Sequence, residues 1–298
     1  MRNTQLSRVL TYFTLLLITV GLVSCGSVSS TKRLSGLVTD IPIGIIDGVP
    51  LTINIAFPEK RSQKPRPALL IIHGGGFVSG NKDSKNNQIQ KATRLGFVAA
   101  SAMYRLAPEY KFPAQLDDIK LAIRHLKANA EAYNIDPDRI LLSGASAGGY
   151  LAVMAGVTGN AEGFSDYGLY PGVDSRVHAV AAQSAPIGDF RLSKYDDSPM
   201  LERLAGSDPK ATTQVRAAMS PARYLDAGDP PFFLSHGDQD SVVPVDMSRE
   251  FVAELDKIEH NVEYYEVKGG EHSLKKSTPE GAQVVYQRYL AFLVKWAK

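Results

Sequence analysis

The chain contains a single cysteine and a single tryptophan in 298 residues. One thiol excludes an intramolecular disulfide and any cysteine-based zinc or iron–sulfur centre. An excess of one charge is also lacking, because 33 Lys and Arg against 31 Asp and Glu leave only +2. No dense basic stretch exists, which argues against a nucleic-acid binder with its clustered phosphate-neutralising cations. No uninterrupted apolar run reaches the ~20 residues of a membrane-spanning helix. Internal repeats and low-complexity blocks are absent as well. What is present is 44% hydrophobic and 21% charged sequence, enough to bury a large core without disulfides or a structural metal. At ~150 residues per domain the length suggests two domains, but α/β enzymes often run to ~250 residues as one.

The amino terminus reads separately from that core. Arg2 and Arg8 precede an apolar run, Val9 to Val23, followed by small residues in Leu22-Val-Ser-Cys-Gly26. A run of this length is the h-region of a signal peptide. The sequence Leu-Val-Ser-Cys resembles the lipobox of bacterial lipoproteins, in which the Cys is diacylated and becomes the new terminus. The expectation is a signal peptide over residues 1–24, lipidation at Cys25, a Ser- and Gly-rich tether over 25–36, and a membrane-anchored protein of the bacterial envelope. Removing residues 1–24 takes two Arg from the 33 basic residues and leaves 31 against 31 acidic. The anchor is then lipid rather than electrostatic.

From about Leu37 to the C-terminus, strand-like and helix-like runs alternate. Leu51 to Phe57 alternates apolar and polar residues as a half-buried strand does, whereas Ala68 to Ile72, Phe97 to Met103 and Ile140 to Leu142 are apolar throughout, as strands covered on both faces are. The last is preceded by a turn at Asp136-Pro-Asp138. Val177 to Ala182, Pro231 to Leu234 and Asn261 to Val267 are further strands. Helical spacing marks Asp117 to Ala130, Tyr150 to Val157, Phe251 to Ile258 and Gln283 to Trp296. The alternation predicts one α/β domain over 37–298: a mostly parallel sheet with helices on both faces. Residues 186–229 break the rhythm and are a candidate cap.

Gly144-Ala-Ser-Ala-Gly148 fits G-x-S-x-G between a buried strand and a helix, the setting of a nucleophile elbow that lifts the Ser146 hydroxyl out of the sheet. His73-Gly-Gly-Gly76 follows directly on another buried strand. Backbone N–H groups free of side chains can approach a developing oxyanion there, which makes Gly75, Gly76 and Ala147 the candidate oxyanion hole. A serine hydroxyl needs a histidine to take its proton and a carboxylate to hold the imidazole. Of the six histidines, His73, His125, His178 and His260 read as structural or solvated. His236 competes because it ends the Phe232 strand. His272, on the loop after Val267, alone leaves room for the chain order Ser, acid, His. Asp238 and Asp240 both follow the Phe232 strand, and position does not choose between them.

These segments together resemble the α/β-hydrolase esterases related to hormone-sensitive lipase, closest to the bacterial feruloyl/acetyl-xylan esterase-like group. The resemblance runs from about Leu37 to the C-terminus. It rests on His73-Gly-Gly-Gly-Phe77, Tyr104-Arg-Leu-Ala-Pro-Glu109 with Phe112-Pro-Ala114 and Asp117-Asp118, Gly144-Ala-Ser-Ala-Gly-Gly149, and His236-Gly-Asp-Gln-Asp240 with Val243-Pro244. It implies an α/β-hydrolase fold, Asp240 as the acid and His272 as the base, with no metal or organic cofactor. Ser273 stands where many relatives have Gly. The implied activity is hydrolysis of short acyl esters, with acetyl or feruloyl groups on carbohydrate first and a general short-chain carboxylesterase second. A serine peptidase of the prolyl-oligopeptidase type is disfavoured, since about 30 residues before the sheet cannot form its propeller. A non-catalytic binding lipoprotein is disfavoured because every triad residue type is present. The expected partners are a small-molecule or polysaccharide ester and, through the lipid, a membrane.

Overall fold

The computed structural model describes residues 36–298 except 61, 160, 162, 165–166, 207–208 and 275–276. The signal peptide, Cys25 and the tether expected above lie outside the described residues.

An eight-stranded sheet forms the centre. Its strands are β1 (Gly36–Ile46), β2 (Val49–Phe57), β3 (Arg66–Ile72), β4 (Val98–Ala102), β5 (Ile135–Ala145), β6 (Ala179–Gln183), β7 (Phe232–Gly237) and β8 (Val262–Val267). The helices are α1 (Asn86–Thr93), α2 (Ala114–Ala128), α3 (Ala130–Tyr133), α4 (Ala147–Val157), α5 (Pro199–Ala205), α6 (Pro209–Met219), α7 (Asp246–Lys257) and α8 (Pro279–Trp296).

The strand order is β1-β2-β4-β3-β5-β6-β7-β8. From β4 across to β8 all neighbours run parallel, while β2 pairs antiparallel with both β1 and β4. Period-two alternation divides the central strands between two cores. Ala68, Leu70, Ile72, Ile140 and Leu142 face the side covered by α2, α4 and α7. Leu69, Ile71 and Leu141 face the side covered by α1 and α8, whose Ile89, Ala92, Val285, Phe292 and Leu293 complete the second layer. Burial on both faces is why these strands read as continuous apolar runs. A cavity of about 830 Å³ lies on the second face between α1 and α8.

Several boundaries differ from the sequence reading: α4 starts at Ala147 rather than Tyr150, α7 runs from Asp246 to Lys257 rather than from Phe251 to Ile258, and α8 starts at Pro279 rather than Gln283. Two further differences have a visible cause. The Asp136-Pro-Asp138 turn lies inside β5, where Asp136 Oδ1 accepts the Asp138 N–H at 3.1 Å and the pairing with β3 shifts register between Arg66 and Ala68. The helix expected over Asp117 to Ala130 starts at Ala114 and ends at Ala128, because Asn129 leaves the helical region and its side-chain amide donates to the His125 carbonyl at 2.8 Å. Residues 186–229 hold α5 and α6, with Leu201, Leu204 and Met219 in the first core.

The topology fixes where a site can form. The chain leaves β3 toward β4 on one side, whereas β5 lies on the other side and leads to β6. In open parallel sheets this reversal opens a crevice at the carboxyl ends of the two diverging strands. Here those ends are Ile72 and Gly144, which are paired in register, and they lead into the glycine loop and the Ser146 turn.

Candidate active site

Ser146 sits between the end of β5 and the start of α4 with φ 55° and ψ −128°, a region that L-residues seldom occupy. Its amide donates to Gln183 O at 2.9 Å and its carbonyl accepts from Tyr150 N at 3.0 Å. A serine at a helix N-cap ordinarily bonds the first-turn amides, but the Ser146 side chain makes no such bond. The hydroxyl is thereby left for other chemistry. Space explains the flanking glycines. A Cβ on Gly144 would lie 2.3 Å from the Gly148 carbonyl, and one on Gly148 would lie 2.3 Å from Ile72 O.

The glycine loop packs against this turn: a Cβ on Gly74 would lie 2.9 Å from Ala145 O and 3.5 Å from the Ser146 Cβ. Gly75 has φ 127°, and its missing Cβ would overlap Ser79 O at 2.1 Å. The Gly75 carbonyl accepts from the amides of Val78 and Ser79, which closes the loop on itself. Among the described residues no acceptor takes the N–H groups of Gly75, Gly76 or Ala147. His73 lies below, stacked on Tyr104 with ring centroids 4.2 Å apart and buried.

The acid and imidazole loops leave the neighbouring ends of β7 and β8, where Gly237 pairs with Val267. A Cβ on Gly237 would clash with Gly270 O at 2.1 Å, so the loops touch backbone to backbone, and the Gln239 amide donates to Gly270 O at 2.9 Å. Asp238 and Asp240 take different tasks. Asp238 Oδ1 accepts the Gly269 amide at 2.7 Å and ties the two loops together. Asp240 Oδ2 lies 2.7 Å from His272 Nδ1. A carboxylate only accepts, so Nδ1 carries the proton, which leaves the His272 Nε2 lone pair free to take another.

A second imidazole stands behind that pair. His236 Nε2 is 3.1 Å from the same Asp240 Oδ2 and 3.0 Å from Val243 O, while its Nδ1 is 2.7 Å from Ser248 Oγ on α7. Both partners of Nε2 are acceptors, which places a proton there; in the neutral ring, Ser248 donates to Nδ1. Asp240 Oδ1 accepts the amides of Val242 and Val243, each at 2.8 Å. The Asp240 side chain is fully buried. Burial alone would raise its pKa, but the bonds from His236, His272 and the two amides outweigh it and hold the carboxyl well below its usual range.

The structure thus brings Asp240 and His272 into contact and sets the Ser146 turn against the loop of Gly75 and Gly76, with Ala147 opening α4. The other histidines are engaged elsewhere. His125 bonds the hydroxyls of Tyr170 and Tyr133 at 2.7 and 2.9 Å, His178 packs edge-on to Trp296, and His260 Nε2 reaches Asp229 O at 3.0 Å. His236 read as a rival imidazole from its strand-end position; its role behind Asp240 depends on Ser248, which no motif marks.

A sheet reversal carrying a strained serine, a glycine loop and an aspartate–histidine pair defines the α/β-hydrolase fold. The BD-FAE family model matches residues 53–255, and the chain belongs to that family. It is 32% identical to the probable carboxylic ester hydrolase LipM of Mycobacterium tuberculosis over 64% of this chain and 45% of the relative. It is 28% identical to esterase LipQ of the same organism over 88% of this chain and 63% of the relative. It thus spans about half to two thirds of these relatives. Among solved structures, esterase 2 of Thermogutta terrifontis superposes with TM-score 0.72 at 26% identity, covering 87% of this chain and 92% of that one. Its propionate-bound form gives TM-score 0.70 at 27% identity, covering 88% and 93%. A bifunctional GH43-CE protein of Bacteroides eggerthii gives TM-score 0.74 at 27% identity, covering 88% of this chain and 38% of that one.

Proposed function

We propose that the protein is a serine carboxylic-ester hydrolase acting on short acyl esters, with acetyl or feruloyl groups on carbohydrate as its substrates. The observation that carries this reading is the 2.7 Å contact of His272 Nδ1 with a buried Asp240, at the same sheet edge as a serine whose hydroxyl its own helix does not use.

Ser146 Oγ attacks the ester carbonyl carbon and passes its proton to His272 Nε2. Asp240 holds the resulting imidazolium in place. The carbonyl oxygen becomes an oxyanion facing the N–H groups of Gly75, Gly76 and Ala147, each such donor being worth ~3–4 kcal/mol to the transition state. The C–O bond to the alcohol breaks, and the alcohol leaves with the proton from His272. Water then gives a proton to His272 and attacks the acyl-enzyme, which releases the acid and restores the Ser146 hydroxyl.

The resemblance to the feruloyl/acetyl-xylan esterase group and the likeness to the GH43-CE protein support the carbohydrate reading. The propionate-bound relative supports a short acyl chain. A lipid on Cys25 would hold the enzyme in the bacterial envelope, where it meets polymer fragments.

The test uses the protein from residue 26 onward, with p-nitrophenyl acetate, butyrate and octanoate beside acetylated and feruloylated xylan. Release of acetate or ferulate from xylan is expected, falling ~10³-fold or more in Ser146→Ala. Activity on small esters alone would move the reading to a general short-chain carboxylesterase. Unchanged turnover in Ser146→Ala would overturn the mechanism.

A further inference from the structure

Helix α5 of the inserted segment lies over the glycine loop. Leu201 and Leu204 are buried in the core shared with Phe77 and Tyr150, and the Phe112 amide donates to Leu204 O at 3.0 Å. The helix is therefore held from below and from one end. Arg203 lies between those two leucines in sequence and is exposed. Its Nη1 would stand 3.5 Å from a Cβ on Gly76, so the guanidinium borders the space above the loop.

Three other cations of this segment are paired, whereas Arg223 lies over the Tyr224 ring at 5.8 Å. Arg191 pairs with Asp189 at 2.7 Å, Arg216 with Asp196 at 2.6 Å, and Lys194 with Glu250. Among the described residues, no hydrogen bond or ion pair engages the Arg203 guanidinium. Its neighbour Glu202 is also exposed, but adjacent residues on a helix point apart. A second cation, Lys111, lies at the far end of the helix, its Nζ 2.7 Å from where a Cβ on Gly206 would be. An ester whose carbonyl oxygen reaches the Gly76 amide brings its substituents beside an unpaired fork of donors, a shape that matches a carboxylate in bidentate fashion.

We infer that Arg203 forms an anion subsite beside the oxyanion loop and selects esters that carry a carboxylate near the scissile bond, as an acylated acidic sugar does. The inference rests on the esterase reading above and narrows its substrate class. The carboxylate could belong to the acyl or the alcohol half, and matched pairs separate the two. Mono-p-nitrophenyl succinate against p-nitrophenyl butyrate tests the acyl side; 4-acetoxybenzoate against 4-acetoxybenzamide tests the alcohol side.

The expected result is a higher kcat/KM for the anionic member of one pair. In Arg203→Gln that preference should fall about three- to tenfold, the range of a partly solvated charge-assisted contact. In Arg203→Glu it should invert, and added salt should weaken it in the parent. Because Arg203 stands beside the Gly76 donor, neutral esters also lose some rate in both variants, and the readout is therefore the ratio within each matched pair rather than either rate alone. Equal preference in parent and Arg203→Gln, with neutral esters still turned over, would overturn the subsite and leave the esterase reading intact. No turnover of any of these esters by the parent would remove both.

Discussion

Asp240 serves two imidazoles through one oxygen, and the two face opposite environments. His272 is partly open to solvent, whereas His236 is sealed. The buried ring cannot reach substrate, so it acts through the carboxylate, fixing the oxygen that orients His272. His236→Leu removes one donor to Asp240 and should lower kcat about 10- to 100-fold with KM little changed, the range of a lost hydrogen bond to a charged group. His236→Gln, which retains an amide donor, should recover part of the loss. Equal kcat in His236→Leu and the parent, with the fold intact by circular dichroism, would remove this role. The neighbouring Asp238 shows how far residue-level reading reaches. Position along the chain left Asp238 and Asp240 equivalent, because both follow the same strand. What separates them is the partner arriving from the β8 loop, an amide for one and an imidazole for the other; strand position does not encode that meeting, and only the family resemblance pointed to Asp240.

At the scale of elements, the buried strands were legible because burial on both faces leaves an unbroken apolar run. The glycine-flanked serine was legible because its strand and helix frame it. Less visible were β1, whose exposed and buried positions are irregular and whose pairing with β2 carries two register shifts, and α1, a short helix in mostly polar sequence. The start of α4 depends on close approach to β3. Gly148→Ala would drive a Cβ to within 2.3 Å of Ile72 O and 2.6 Å of His73 O, so either the helix or the glycine loop must move. The variant should lose ~1–3 kcal/mol of stability from overpacking and about 100-fold in kcat/KM as Ser146 shifts from its donors. Urea unfolding together with steady-state kinetics checks both, and parent-like values would show that the contact relaxes without consequence.

For the molecule as a whole, Asp229, like Asp118, runs against the usual acidic pattern in the pH dependence of stability. Burial lifts the Asp229 carboxyl to about 7, with the amide of Asp226 opposing and the Asp226 charge adding to the rise. In the unfolded chain the same group titrates near ~3.9. Its contribution is therefore fully present below about pH 4 and is lost as pH rises through about 7, where the folded protein must hold a charge that is only partly solvated. Asp229→Asn carries no charge at any pH. Its Tm should match the parent near pH 4 and exceed it by a few degrees near pH 8. A difference of the same size at both values would show that the gain comes from something other than this proton.

The inserted segment leaves the sheet after Gln183 and rejoins it at Phe232, two points already fixed by the pairing of Val180 with Phe232 and Gln183 with Ser235. Ser146 lies before the departure, and Asp240 and His272 lie after the return. Lengthening a closed loop adds only ~0.6 kcal/mol for each doubling, so this excursion can be exchanged, shortened or grown while the sheet keeps its reacting groups in register. The excursion is nevertheless keyed to the sheet through Leu201, Leu204 and Met219, which share a core with Phe77 and Tyr150, so an exchange between related chains at Gln183 and Phe232 would keep the frame only if those contacts travelled with it.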